Sequence, residues 1–313
     1  MLRLAVRRVL FSVPLILVVS LLSFIFEALI PGNAAEAILG PDATPAAMTQ
    51  LDQQLGLNKP LPQQYWHWLD QLLHGNLGVS LVNGQSVFSE LNARLPVTLA
   101  LLGSAIVIAI ALGWGAGVFS ALRGGVAAKI VDVLAVPGLA VPSFWIALLL
   151  IAGFAVTWQL FPATGFTYFS QSPVEWARSL VLPALALGLG QMTVLAKQTR
   201  DSMLNVLASP FIRGLRANGI SERKIIFKHA VRNSAIPVVT VAGLLVIGAL
   251  TGAVVIEQVF VLPGLGSLAI SATSAHDLPV IQGVALYFTL IVVAVNLLVD
   301  LAYSWLDPKV RYQ

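Results

Sequence analysis

Four histidines, His67, His74, His229 and His276, are the side chains in this 313-residue sequence best suited to acid–base or metal chemistry. His67 and His74 stand seven apart and would share a helix face, but two ligands without a nearby third read more simply as surface residues. All four are expected in loops, outside any apolar stretch. There is no cysteine, which excludes thiol nucleophiles, disulfides and iron–sulfur clusters. No Gly-x-x-x-x-Gly-Lys-[Ser/Thr] occurs, so the chain has no phosphate loop of its own. An intramembrane enzyme would need a nucleophile–base pair or a ligand set, and the sequence supplies neither: no catalytic residue, no metal site and no cofactor on this chain are expected. What it concentrates instead is positive charge. Between Phe211 and Pro237 lie Arg213, Arg216, Arg223, Lys224, Lys228 and Arg232 against one acid, Glu222, in a chain only 10% charged.

The elements that hold this stretch follow from composition. The chain is 58% hydrophobic with a mean hydropathy of +0.87, whereas a soluble domain carries about 25% charged residues. It reads as an all-α integral membrane protein, since only a helix satisfies its own backbone within one lipid-embedded segment. A crossing takes about 20 apolar residues, and six are expected: 9–30, 96–122, 133–158, 179–197, 234–256 and 280–303. Between them fall an N-terminus (1–8), a long connection with short helices (31–95), a basic loop (198–233), a second long loop (257–279) and a C-terminus (304–313). Pro14, Pro137, Pro142 and Pro183 predict kinks within spans, not breaks. Arg3, Arg7 and Arg8 with a passable cleavage site at Asn33-Ala34-Ala35 resemble a signal peptide. The apolar run from Val9 to Phe26 is longer than the usual h-region of about 7–15 residues, so a retained helix is expected. With the N-terminus inside, fifteen of the 18 Lys and Arg are cytoplasmic; only Lys59, Arg94 and Arg178 fall outside. The positive-inside rule therefore places both termini and the basic loop in the cytoplasm.

Topology explains the sign of the charge but not the pattern inside the loop. Ser209-Pro210 offers an N-cap followed by Pro at the first helical position, and Gly219 suits the left-handed residue that ends a helix. Ser221 offers a second cap, with Glu222 in the first turn. Two short helices joined by a Gly-Ile-Ser turn are expected, and helices this short need a partner surface. A soluble cytoplasmic protein fits better than nucleic acid, because the basic turn is pinned between two spans. A charge near mid-bilayer costs about 2.5–3.5 kcal/mol and usually marks an ion or proton path. Asp132, Asp300 and Glu27 all fall at span ends, and the sequence carries no signature of broken helices in matching halves either. The driving energy then enters from outside the chain, through the loop. A free-standing channel or transporter is the alternative, though a channel has no need of paired docking helices.

In the external connection, Thr44-Pro45 starts a helix ending at Leu55-Gly56, and Pro62 opens another that stops at His74-Gly75. Tyr65, Trp66 and Trp68 would lie along the membrane interface, where such aromatics prefer to sit.

The residues 216–224 (RANGISERK), followed by His229-Ala230-Val231-Arg232-Asn233 and Ile236-Pro237-Val238-Val239-Thr240, resemble the cytoplasmic loop of ABC importer permeases of the dipeptide/oligopeptide/nickel family. So do Leu55-Gly56-Leu57-Asn58-Lys59-Pro60-Leu61, Gly75-Asn76-Leu77-Gly78, Arg94-Leu95-Pro96-Val97-Thr98-Leu99, Pro142-Ser143-Phe144-Trp145, residues 257–266 (EQVFVLPGLG) and residues 306–312 (LDPKVRY). The match runs along essentially the whole chain in order. General permease loops carry Glu-Ala-Ala before the glycine and a later Leu-Pro; here Leu215-Arg216-Ala217 and Val231-Arg232 stand instead, which suits the peptide branch. The resemblance implies a type I importer fold with a permease domain over 96–303, in a bacterial inner or plasma membrane. It implies a second homologous permease chain, one or two cytoplasmic ATP-binding subunits that carry ATP and Mg, and an external solute-binding protein. The cargo it implies is short peptides, with nickel chelates or glutathione as alternatives. Phe211, Leu215, Arg216, Ala217, Gly219, Ser221, Glu222, Ile226 and Phe227 would couple to the ATPase. Phe260, Pro263, Gly264, Leu265 and Gly266 would reach toward the binding protein, for which the segment 31–95 would be a landing surface.

Overall fold

The computed structural model describes residues 2–29, 34–40, 43–56 and 58–306. The C-terminal stretch 307–313 and Asn33 of the cleavage-like site lie outside the described residues. Among those described, the architecture is helical, with one isolated antiparallel bridge between Val79 and Ser86. In chain order the helices are α1 (Leu2–Leu29), α2 (Ala34–Leu39), α3 (Pro45–Leu55), α4 (Leu61–Leu73), α5 (Val87–Arg123), α6 (Gly125–Ala140), α7 (Ser143–Leu150), α8 (Pro173–Leu207), α9 (Pro210–Ala217), α10 (Glu222–Lys224), α11 (Val231–Val259), α12 (Leu265–Ser274) and α13 (Leu278–Leu306). Among the described residues, four stretches are long and apolar enough to cross a membrane: Val87–Arg123, Pro173–Leu207, Glu222–Val259 and Leu278–Tyr303. The shorter apolar helices Leu10–Phe26 and Ser143–Thr157 fall on the first and third expected spans.

Pro14 and Pro183 sit inside continuous helices, as expected. Pro142 does not. The helix over the third expected span stops at Ala140 and restarts at Ser143, with Pro142 in an extended conformation at φ −60° and ψ 138°. Proline lacks the N–H the helix would use and drives its preceding residue, here the β-branched Val141, out of the helical region. The expectation of a kink at Pro142 is corrected: α6 and α7 are separate pieces. Beyond α7 the chain widens into a π turn, Ile151–Thr157.

Two compact units divide the chain, each described by itself. In the unit containing residues 99–262 and 294–313, α8 packs against α6, α7 and α11. Small residues let these backbones approach, the usual device where lipid gives helices no hydrophobic reason to associate. A Cβ on Gly117 of α5 would lie 2.6 Å from the Ala196 carbonyl oxygen of α8, and one on Gly190 of α8 would lie 2.8 Å from that of Gly138 on α6. Asp132 of α6 is not simply a span end: its carboxylate receives Lys197 Nζ at 3.3 Å and Arg200 Nη1 at 3.2 Å from α8.

In the unit containing residues 3–98 and 263–293, α3 starts with Ala47 N donating to Thr44 Oγ1 at 3.3 Å and ends before Gly56, and α4 ends at His74, as the sequence predicts. Tyr65 and Trp68 turn inward onto Phe24 of α1, with ring centroids 5.4 and 5.8 Å away, and Tyr65 hydroxyl lies 3.1 Å from Ser20 Oγ. Only Trp66 faces outward, 68% exposed. Edge-on and offset ring contacts of this kind add to what the buried aromatic area alone contributes. Asp277, 4% exposed, accepts from the Ser80 hydroxyl and from Leu81 N at 3.1 Å. Replacing Asp277 by Ala orphans both donors, so the variant loses about 1–3 kcal/mol, read as a lower unfolding midpoint in detergent. An Asp277→Ala chain that unfolds like the parent would show that this anchor contributes nothing.

Candidate functional site

The basic stretch forms a turn between α8 and α11, and its first arm folds as its residues dictate. Ser209 caps α9: its Oγ accepts from Ile212 N at 3.4 Å, and Pro210 takes the first helical position, where no donor is missed. The helix ends at Asn218, and Gly219 follows at φ +72°. Gly219 N donates to Arg216 O at 3.0 Å and Ile220 N to Leu215 O at 3.2 Å. These two bonds close the last carbonyls of α9 and require the left-handed residue that glycine supplies without strain.

The second arm differs from the expected separate helix. Glu222–Lys224 continue through a π turn, Ile225–Ala230, straight into α11. No breaker stands between Lys224 and Val231, so the arm is the first part of a long helix. Ser221 has the extended conformation of a cap, φ −61° and ψ 141°, but its side chain accepts no capping bond. The end is held instead by an ion pair across the turn. Arg216 Nε donates to Glu222 Oε1 at 2.6 Å, and Nη2 to Oε2 at 3.4 Å. That hydrogen bonding raises the Arg216 guanidinium above its ordinary pKa and lowers the Glu222 carboxyl below its own. Sequence reading gave Glu222 a helix-terminus role and missed this two-pronged pairing, whose signal was opposite charges on either side of a glycine turn.

The apolar residues of the turn sort into two sets. Ile212 and Ile225 are fully buried, with Ala230 and with Met203 of α8, whose sulfur lies 3.1 Å from the Ser234 hydroxyl. Phe211 and Phe227 are 52% and 64% exposed, while Leu215 and Ile226 are half-buried. The Phe211 ring meets His229 edge-on at 6.0 Å. Ala217, Gly219 and Ser221 are exposed at the tip. Arg213, Arg223, Lys224 and Lys228 are exposed too and have no ion pair among the described residues. Two outward aromatic rings ringed by free cations, on a base anchored by Ile212 and Ile225, make a surface fit for a protein groove with an acidic rim.

The other sequence-derived candidates are placed differently. Phe260, Gly264, Leu265 and Gly266 are buried and Pro263 is half-buried. The outward residue of that segment is Val261, 65% exposed at φ +53°. Phe260 O accepts from Gly165 N at 2.8 Å, and Leu262 N donates to Glu257 O at 2.8 Å. His67 lies on α4, the helix expected from Pro62, and His229 lies in the π turn before α11. His67 pairs with Gln71 at 2.9 Å and His74 Nδ1 with Asp70 O at 2.8 Å, and among the described residues no three His, Asp or Glu come together as a metal site.

Comparison with known proteins places this geometry in a family. Residues 109–312 match the binding-protein-dependent transport system inner membrane component family, and residues 1–102 its N-terminal companion. A chain of Brucella abortus (strain 2308) named for a peptide transport system permease is 42% identical over 99% of both chains. The glutathione transport system permease protein of Pectobacterium atrosepticum is 38% identical over the full length of both. A Sinorhizobium fredii chain named for a peptide ABC transporter permease is 35% identical over 98% of both. With two family matches that together reach nearly end to end, and relatives aligned over the same extent, the chain belongs to the binding-protein-dependent inner membrane components, the permease subunits of ABC importers, which have no ATPase site of their own.

Proposed function

We propose that this chain forms half of the translocation path for short peptides, delivered by an external solute-binding protein and driven by ATP hydrolysis on partner subunits. The observation that carries the reading is the turn at 209–232, with its Gly219 pivot, its Arg216–Glu222 clamp and its outward Phe211 and Phe227. Six spans with both termini cytoplasmic, a second homologous permease chain and one or two ATP-binding subunits holding ATP and Mg complete the assembly in a bacterial inner membrane. Closure of the ATPases on ATP moves the docking turn, and the spans rock between inward- and outward-open states. Relatives named for peptide transport favour short peptides; glutathione, the cargo in another relative's name, is itself a small peptide and uses the same machinery. At the opposite end, the segment 260–266 serves the binding protein through Val261, with buried Phe260 and Leu265 as its footing.

The test is uptake of labelled di- and tripeptides by cells that depend on this system, with and without the chain. Loss of uptake on deletion, restored by the gene, is the expected result; unchanged uptake contradicts it. Replacing the 261–263 turn by a shorter Gly-Gly link abolishes uptake while the permease still carries its ATPase. Normal uptake by that variant would remove the segment from the account.

A further inference from the structure

α8 leads straight into the docking turn: it ends at Leu207, and Ser209 caps α9. Whatever displaces the turn displaces that end of α8 first. α6 lies against α8 in the same unit and is tied to it at two places. The first is a close crossing. A Cβ on Gly190 would lie 2.8 Å from Gly138 O, and one on Gly138 would run into the Thr193 side chain. A single crossing of small residues lets two helices pivot, and the second tie stops the pivot. About two turns away along both helices, Asp132 Oδ1 receives Lys197 Nζ at 3.3 Å and Arg200 Nη1 at 3.2 Å. Stability does not account for this tie. Asp132 and Lys197 are 43% and 46% exposed, and pairs so exposed add little. Nor do the cations of α8 need it: Asp201, on the same helix, lies 3.2 Å from Lys197 Nζ and 3.6 Å from Arg200 Nη1. Yet Asp132 is the one acid of the largely apolar α6.

We propose that Asp132 is a coupling residue. Its pairing with Lys197 and Arg200 makes α6 move with α8 as one body when the docking turn is displaced. The other end of α6 allows this motion. The helix stops at Ala140 and restarts at Ser143 around the extended Pro142, while α7 is held against α8 and α11. A few residues between two packed elements are what a hinge needs, so the break takes up the displacement of α6 relative to α7. Without the carboxylate α8 still moves, but α6 pivots about Gly138 and lags, and ATP is hydrolysed without full opening of the path. This rests on the docking turn as the place where the ATPase acts.

The experiment uses the transporter with all its subunits in liposomes, with labelled alanine tripeptide as cargo and ATP hydrolysis measured beside uptake. Asp132→Ala leaves Lys197 and Arg200 paired with Asp201, so subunit recovery and the ATPase rate stay parental. Uptake per ATP falls about tenfold, as expected for one charge-assisted hydrogen bond lost. Asp132→Glu, which keeps the charge, stays near the parental ratio. If Asp132→Ala assembles poorly, Asp132→Asn, which keeps the side chain's shape, is read in its place. The absence of cysteine from this chain allows a direct rescue. Asp132→Cys with Lys197→Cys uncouples as Asp132→Ala does; a short thiol cross-linker restores uptake, and reductant abolishes it again. The parent complex with the same cross-linker is the control. Parental coupling in Asp132→Ala, equal loss in the Ala and Glu variants, or a bridge that leaves uptake low overturns this role alone, where Gly219→Val still uncouples. Coupling that survives Gly219→Val overturns the docking turn and this role with it.

Discussion

Gly219→Val uncouples ATP hydrolysis from transport: uptake falls at least tenfold, while the assembled ATPase keeps turning over. The reason is conformational. Gly219 sits at φ +72°, and a Cβ there would meet nothing within 4 Å, so the variant does not clash. A β-branched residue in the left-handed region costs about 1–3 kcal/mol, which the turn relieves by abandoning the two bonds that end α9. Phe211 and Phe227 then lose their fixed spacing. Gly219→Asn, a residue that tolerates this region, retains coupling. Paired measurement of peptide uptake and ATPase rate in liposomes decides it. Coupling that survives in the Val variant, or is lost equally in Val and Asn, would mean that the turn is not the coupling element.

The second large effect separates anchor from contact. Ile225→Ala empties a fully buried position and destabilises the chain by about 2–5 kcal/mol. Phe227→Asp, at a ring 64% exposed, leaves the unfolding midpoint of the isolated chain unchanged. It weakens the ATPase by about 2 kcal/mol or more, as expected when a central aromatic anchor is removed, which is roughly 30-fold in Kd. Unfolding in detergent read beside ATPase retention distinguishes the two. A Phe227→Asp chain that binds its ATPase normally would place the contact elsewhere on the turn.

Local signals in the sequence carried over into structure where the physics is itself local. Ser209-Pro210 starts α9 and Gly219 ends it because caps and left-handed residues depend on a few neighbouring dihedrals. Which apolar residues of the turn face inward was not legible. In an arm of eight residues, Phe211 and Ile212 are equally apolar, and only packing decides that Ile212 is buried and Phe211 is not. The Arg216–Glu222 clamp spans six residues through a turn whose path no helical spacing rule describes. The prolines were not separable by type alone: Pro183, buried between Leu182 and Ala184, and the exposed Pro14 both sit inside continuous helices, whereas Pro142 stands at the break between α6 and α7. That Ser143, Gln191 and Gly248 come close to one another could not be read from the chain, because they meet only once three helices are packed. The buried setting of Phe260 and Leu265 likewise comes from tertiary structure: a Pro-Gly-rich loop reads as exposed until its neighbours close over it.

The central claim is that this permease is driven by an ATPase docked on the 209–232 turn. Affinity purification of the chain in mild detergent, from cells expressing all its neighbours, with mass identification of what accompanies it, tests that claim most directly. The account predicts a second permease chain and a phosphate-loop ATPase in the parent preparation, and loss of the ATPase alone from Phe227→Asp. A parent chain that purifies by itself, with no ATPase at any detergent concentration that preserves its fold, would contradict it and leave a free-standing channel or transporter.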